Sequence, residues 1–372
     1  MNISACLAKV KDTRKARGKQ YSIESILKLV IAGLLGNRNN LKAIHRFGKS
    51  LSKAEQIRLG FYKGKIPCYS SLTIILRTIV METLKAAKRA LNDSLMESGQ
   101  ECRLLHIDGK TLRNSDTYGD NAKKQLLTAF SSELRSVCEF IEIIGNDEYN
   151  AMLELLLNGN IGGKIITADA AFCHEKVCQV TVKKNADFAF SVKRNEANLY
   201  YYANKAFEEA AQNNREIRTF QDNWDLVHGR LERRKIEVID MPFEYLNGFS
   251  YIKQVCKITR ERERKNKKNS YTQEAALMIT SLDKSYGPEF LLALNRKHWS
   301  CENNLHGVKD VIFGEDRSTI STDNSPIFMS LFRDMTIAIL NSISDKITET
   351  REMFNNCKRK LMRLFTIELQ DF

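Results

Sequence analysis

The sequence predicts an α/β fold. A mixed sheet flanked by helices is interrupted by a mostly β insertion and preceded by a small helical domain. Three observations carry this. Residues up to about 98 read as helices with short connections. From residue 102, short apolar runs alternate with helical patterns in the order β-β-β-α-β-α. Between about 215 and 282 only strand-like segments occur. The 372 residues are 43% hydrophobic, ample for one large core or two smaller ones.

In the front section, SIESILKLVIAGLLGN (22–37) opens on a serine cap with a nearby glutamate and then follows helical apolar spacing. NLKAIHRFGKSL predicts a second helix, and SSLTIILRTIVMETLKAAKRALNDSL, after Pro67, a third. This basic, helical section fits a DNA-binding domain and equally a subdomain packed on the rest of the chain. CRLLHID then predicts a buried strand ending in an acid. KQLLTAFSSE and LRSVCEFIEI predict two more strands, joined by a turn at Ser131–Glu133. DEYNAMLELLLN is a helix, KIITADA a strand ending in an acid, HEKVCQVTVKKN a helix, ADFAFSVK a strand and EANLYYYANKAFEEAAQNN a helix. The insertion contributes EIRTFQDNWDLV, GRLERRKIEVID, YIKQVCKIT and EAALMITSL. The charge run RERERKNKKN (260–269) reads as a hairpin tip or loop, or as a phosphate contact in a polyanion-binding protein.

Composition narrows the function classes. A net charge of +13 points to a polyanionic partner, nucleic acid before membrane. The most apolar run, ILKLVIAGLLG, is short and contains Lys28, so no membrane span is expected, and the N-terminus lacks a signal-peptide core. Nine scattered cysteines without a CxxC read as reduced thiols in a cytoplasmic protein. Cys173, His174 and Cys178 lack the second Cys/His pair of a zinc site. GNIGGK (159–164) lacks the spacing and the Ser/Thr of a P-loop.

Two acids share a context. Asp108 ends LLHID and Asp169 ends IITAD, each at the C-terminal rim of a strand, where α/β folds keep their sites. Each could also cap the next turn. Two such acids side by side would suit a divalent metal, with Mg2+ or Mn2+ taking carboxylate oxygens and a substrate phosphate. RKHWSCENNLHGVKDVIFGED (296–316) reads as one helix. At 100° per residue, measured from His298, Lys309 falls at about 20°, Glu302 at about 40° and His306 at about 80°. Cys301, Leu305, Val308 and Ile312 fall between about −80° and −20°. A polar edge therefore runs beside an apolar stripe. Glu302 would be a third carboxylate, with His298, Lys309 and His306 facing phosphates, as in two-metal phosphoryl transfer. Asp310, Glu315 and Asp316 fall outside that edge.

With these motifs in hand, the chain resembles the DDE transposases of bacterial insertion sequences, in the ISAs-type group with the H-repeat-associated proteins of RHS elements. The resemblance rests on IDGKTLRNSD (107–116), ITADAAFCHEKV (166–177), SVKRNEANL (191–199), HGRLERRKIEV (228–238) and the 296–316 strip. The helical front end also resembles that family's N-terminal associated region. Departures are Gly307 for a Trp, His174 for a frequent Gln after the second acid, and Glu196 for the Gln of a common NQ pair.

The resemblance implies an RNase H-like catalytic core with Asp108, Asp169 and Glu302 as catalytic, metal-binding triad, and Mg2+ as cofactor with Mn2+ able to substitute. Lys110, Lys193, Arg230, Arg233 and Arg234, with His298, His306 and Lys309, are the expected phosphate or DNA contacts. The expected division is a helical N-terminal domain (1–98), a core (99–214 and 283–345), an insertion (215–282) and a helical tail (346–372). The implied activity is cleavage of donor DNA at element ends and strand transfer into target DNA. Alternatives are an inactive DNA-binding remnant or an RNase H-like host nuclease. Expected partners are double-stranded DNA, as terminal inverted repeats and target, and further copies of the chain on DNA, in the bacterial cytoplasm at the nucleoid.

Overall fold

The structure is a computed structural model that describes residues 2–115, 123–227, 229–246, 248–264 and 270–367. Asp116, His228, the second half of the charge run (265–269) and the last five residues of the tail lie outside the described residues.

The front section holds α1 (Ile3–Leu7), α2 (Ile23–Leu35), α3 (Leu41–Ser50), α4 (Lys53–Arg58), α5 (Tyr69–Arg77) and α6 (Met81–Glu97). The next stretch gives β1 (Leu104–Thr111), β2 (Gln125–Ser131), β3 (Ser136–Ile143), α7 (Glu148–Asn158), β4 (Ile165–Ala168), α8 (Glu175–Lys183), β5 (Asp187–Val192) and α9 (Ala197–Gln212). It matches the order expected from the sequence. The insertion forms β6 (Arg218–Gln221), β7 (Asp225–Val227), β8 (Arg230–Asp240), β9 (Gln254–Arg264) and β10 (Thr272–Thr280). Then come α10 (Pro288–His298), a π-helical turn (Glu302–His306), α11 (Gly307–Val311), α12 (Ser325–Ile343), α13 (Ile347–Asn356) and α14 (Lys358–Arg363).

Three expectations change. The long helix expected after Pro67 is two helices, because the β-branched run Thr78-Ile79-Val80 leaves the helix and Val80 is extended at φ −88°, ψ 122°. EIRTFQDNWDLV is two short strands, both paired with β8. Arg260–Arg264 of the charge run belongs to strand β9, not to a loop.

The chain forms two compact units. One comprises residues 1–102, 109–146 and 302–372; the other comprises 103–108 and 147–301. Strand β1 contributes to both. The second unit is built on a mixed sheet: the start of β1, β4 and β5 are parallel, and β10, β9, β8 and β6 continue antiparallel from β5, with β7 also on β8. The insertion is thus an extension of the sheet through β10–β5 pairing. Its core buries Leu104, Ile165, Ile236, Val238 and Ile258 with Leu291, Leu292 and Leu294 of α10. Each such leucine contributes roughly 1.5–3 kcal/mol on burial.

The first unit packs helices around α2 and α12, each buried along nearly its whole length as an all-round apolar helix must be. The C-terminal helices belong to this body. Arg351 of α13 donates to the Leu34 carbonyl (3.1 and 2.9 Å) and to Asn39 Oδ1 (2.6 Å), closing the end of α2. The hairpin β2–β3 joins it through α6, where Asn92 donates to the Val137 carbonyl at 2.9 Å. Residues 1–98 and 346–372 are therefore parts of one compact unit.

The α2–α3 crossing depends on two glycines. A Cβ at Gly33 would stand 2.7 Å from Ile44 Cγ1, and one at Gly48 would stand 2.9 Å from Leu29 Cδ1. Ile44 is stiff at χ1 and cannot swing clear. Gly33→Ala should lower stability by about 1–3 kcal/mol in urea unfolding despite alanine's better helix propensity. An unchanged midpoint would refute the tight crossing.

Candidate active site

In the second unit, parallel pairing sets Ile107 opposite Ala168. The next residues are Asp108, which lies inside β1 rather than at its end because that strand runs on to Thr111, and Asp169, which follows the last residue of β4. Asp169 ends β4 in an extended conformation before a short 3-10 turn, Ala170–Phe172. Its side chain is about half exposed, at 47%.

A chain of polar contacts lies behind it. His106, fully buried on β1, places Nδ1 2.7 Å from Thr167 Oγ1, and that oxygen is 2.9 Å from His298 Nδ1. His298 Nε2 lies 3.5 Å from Asp169 Oδ1. Burial, with His298 and Lys297 nearby, pulls His106 down to about 3, so it is neutral at physiological pH. The Thr167 hydroxyl lies within hydrogen-bonding distance of both imidazoles and bridges the two rings. Contact with His298 holds Asp169 below the usual carboxylate range despite burial, and the charge of Lys193 adds to it. The Asp169 carboxylate is thus ionised and aimed by a three-residue support. Thr167 and His106 escaped sequence reading because a strand Thr and a strand His read simply as buried positions.

The loop after Asp169 is tied down by Asn195, which donates to the Ala170 carbonyl at 2.7 Å. His174 Nδ1 and Glu196 Oε1 meet at 2.8 Å, and Tyr149 packs edge-on to the imidazole at 5.1 Å. The two departures from the family pattern at 174 and 196 are thus one contact.

The first unit holds Glu302, exposed at the start of the π-turn. It lines a cleft of about 250 Å3 with Lys110, Arg113, His306, Asp310 and Asp316. Lys110 Nζ is 2.6 Å from Asp310 and 3.5 Å from Glu315. Arg113 pairs with Asp316 at 3.0 Å. His306 is buried; desolvation and the charges of Lys309 and Lys110 bring it down to about 3.

The single-helix reading of 296–316 is corrected here. α10 ends at His298, and the π-turn takes in an extra residue, which rotates everything downstream back by about 100°. Lys309 moves from the polar edge into the core. It is 1% exposed, 2.9 Å from Asp334, 3.6 Å from Glu315, and donates to Ser330 Oγ at 2.6 Å. Burial opposes its charge, but Asp334 and Glu315 hold its pKa above the ordinary lysine value. The expected phosphate contact at Lys309 is therefore replaced by a buried ion cluster, and His306 too is inside. The same rotation brings Asp310 onto the cleft, from which the straight-helix reading excluded it.

The remaining expected contacts sit in the second unit. Lys193 is exposed near Asp169. On β8, Arg230 is exposed, while Arg233 pairs with Glu261 at 2.6 Å and lies 4.7 Å over the Trp224 ring. Arg234 pairs with Glu232 at 2.5 Å. Arg233 and Arg234 thus brace the sheet from within.

Hard carboxylate oxygens on adjoining strands, ionised at Asp169, suit a divalent cation.

The chain matches the family model "Transposase DDE domain" over residues 103–329, and "DDE_Tnp_1-associated" over residues 4–91. It belongs to the DDE transposases, DNA-cleaving enzymes that depend on divalent metal. Escherichia coli (strain K12) YbfL is 29% identical over 91% of this chain and 89% of its own length. The "H repeat-associated putative transposase YhhI" of the same strain is 28% identical over 91% and 89%. Among solved structures, a piggyBac transposase synaptic complex with hairpin DNA overlays 99% of this chain and 75% of its own at a TM-score of 0.43 and 11% identity. Among the described residues, no single helix is long and apolar enough to cross a membrane.

Glu315 gives the buried cluster a pH signature. Burial alone would raise its pKa, but Lys309, Arg333 and Lys110 bring it down to about 2, below an unfolded value of about 4.3. Its stabilisation is fully present above about pH 4.3 and lost as pH falls through about 2. Glu315→Gln should lower stability at pH 7 by about 3–5 kcal/mol and flatten the acid limb between pH 5 and 2. Denaturant unfolding across that range measures both, and parallel acid limbs in the two proteins would contradict the assignment.

Proposed function

We propose that this transposase cuts donor DNA at the ends of its element and joins the freed 3′ end to target DNA, with Mg2+ held by Asp108, Asp169 and Glu302. The observation that carries the reading is the Asp108/Asp169 pair on adjoining parallel strands, with His298 on the second acid. Glu302 supports it as an exposed carboxylate on an acid-rich cleft that also carries Lys110 and Arg113.

Bound there, the metal would supply Lewis acidity to the attacking and leaving oxygens of the phosphodiester. The chain's own residues do the rest. His298 keeps the Asp169 carboxylate ionised and oriented, and Thr167 with His106 holds the His298 ring. Lys193 adds positive charge where a DNA phosphate would approach Asp169. The ends recognised are terminal inverted repeats, and paired ends call for more than one copy of the chain on DNA.

The test is full-length protein with duplexes taken from the flanks of its coding region, in Mg2+ or Mn2+. Asp108→Asn, Asp169→Asn and Glu302→Gln should each cut strand cleavage by more than about 100-fold, whereas His298→Ala should cost about 10- to 100-fold. Cleavage unchanged in any of the three acid variants removes that residue from the site. End binding without cleavage in either metal would instead identify an inactive remnant, and cutting without joining a nuclease.

A further inference from the structure

We infer that α5 is the element with which this chain reads base sequence in duplex DNA, and that the cations of α3 and of the loop before α5 seat it on the phosphates. This rests on the DNA-processing reading above and names the segment that selects the site.

The face is defined by burial. Around α5, measured from Tyr69, the buried residues Leu72, Ile75 and Leu76 lie between about −120° and −20°. Tyr69, Thr73, Arg77, Ser70 and Ile74 lie between 0° and about 140°, and Ile74 is 60% exposed. An isoleucine so exposed beside hydroxyls and an arginine suits the edges of base pairs. Ile74 would meet a thymine methyl and Ser70 either a donor or an acceptor, while Arg77, which lies 3.8 Å from Asp323 on the cavity that Tyr69 and Thr73 also border, would exchange that partner for guanine O6 and N7. At nine residues α5 is about 13 Å long, the scale of a major groove about 12 Å wide.

Charge complementarity commits the face to DNA. Residues 41–77 hold eight Lys or Arg against a single acid, Glu55, a net +7 of the chain's +13. Lys42, Arg46 and Lys49 recur at i, i+4 and i+7 on α3, all exposed. His45 of α3 meets the Tyr69 ring edge-on at 6.0 Å, so the stripe runs beside α5. Lys63 and Lys65, both exposed, lie in the loop before α5.

Selection from randomised duplexes with full-length protein, without divalent metal, gives a preferred duplex and a scrambled control. Binding then needs no cleavage, so a failure here is separable from a failure of the catalytic assignment. Ile74→Ala and Arg77→Ala should each lower the preference for the selected duplex about 5- to 100-fold, with scrambled-duplex affinity nearly unchanged. Replacing Lys42, Arg46 and Lys49 with Gln should weaken both duplexes alike and flatten the salt dependence by roughly 0.9 per lost phosphate contact. Cys68 provides a native reporter. It is exposed at the N-cap of α5, and hydrogen bonds from Ser70 and Ser71 bring its thiol down to about 7, so it alkylates readily. The selected duplex should protect Cys68 in the wild-type chain. A preference ratio unmoved by both α5 variants, or wild-type protein with no preferred duplex, overturns the inference. So does self-association lost in Ile74→Ala with DNA preference intact, which would assign the face to a second copy.

Discussion

One strand register governs the second unit of the molecule. Ile107 opposite Ala168 in a parallel pair makes Asp108 and Asp169 neighbours before any side chain has been chosen. A shift by a single residue would turn one of them to the opposite face of the sheet. The apolar runs LLHI and IITA enforce that register by being buried on both sides, as parallel strands are. The polar support behind Asp169 follows from the same alignment, since His106 and Thr167 are register partners.

The other half depends on an irregularity. A π-turn departs from the best-packed helix and needs its neighbours to hold it. Here the residues after it are anchored by a buried cluster in which Lys309 and Arg333 face Glu315 and Asp334. Such a cluster is a poor source of net stability, because desolvating four charges consumes much of their attraction. It does fix orientation, since any rotation of α11 would strand an unpaired charge in the core. Exposed Glu302 and buried Lys309, seven residues apart, owe their opposite fates to this arrangement.

Much of the architecture was legible because each signal was local. Strand lengths, the Ser22 cap of α2 and the alternation from β1 to α9 all follow from residues within a turn or two. That Asp108 and Asp169 each follow a buried apolar strand run was legible for the same reason. What escaped needed long-range information. No helical wheel reveals an inserted residue, so Lys309 and Asp310 exchanged roles relative to a straight helix. Arg351 reads as a surface charge on α13, yet it is buried because its partners include the Leu34 carbonyl oxygen of a helix more than three hundred residues earlier. Arg233 and Arg234 likewise met acids of their own sheet before any DNA.

The contact between His174 and Glu196 bears on how such chains diverge. The resemblance leads one to expect glutamine at each position, and two amides could satisfy one another with no net charge. Histidine with glutamate makes the contact in this chain, and exchanging only one of the two for glutamine would leave a less well matched pair. Segments exchanged between relatives with a junction anywhere from 175 to 195 would split the pair. Recombination between copies would therefore be filtered there by the loop that follows the second acid, although neither residue is an expected metal ligand.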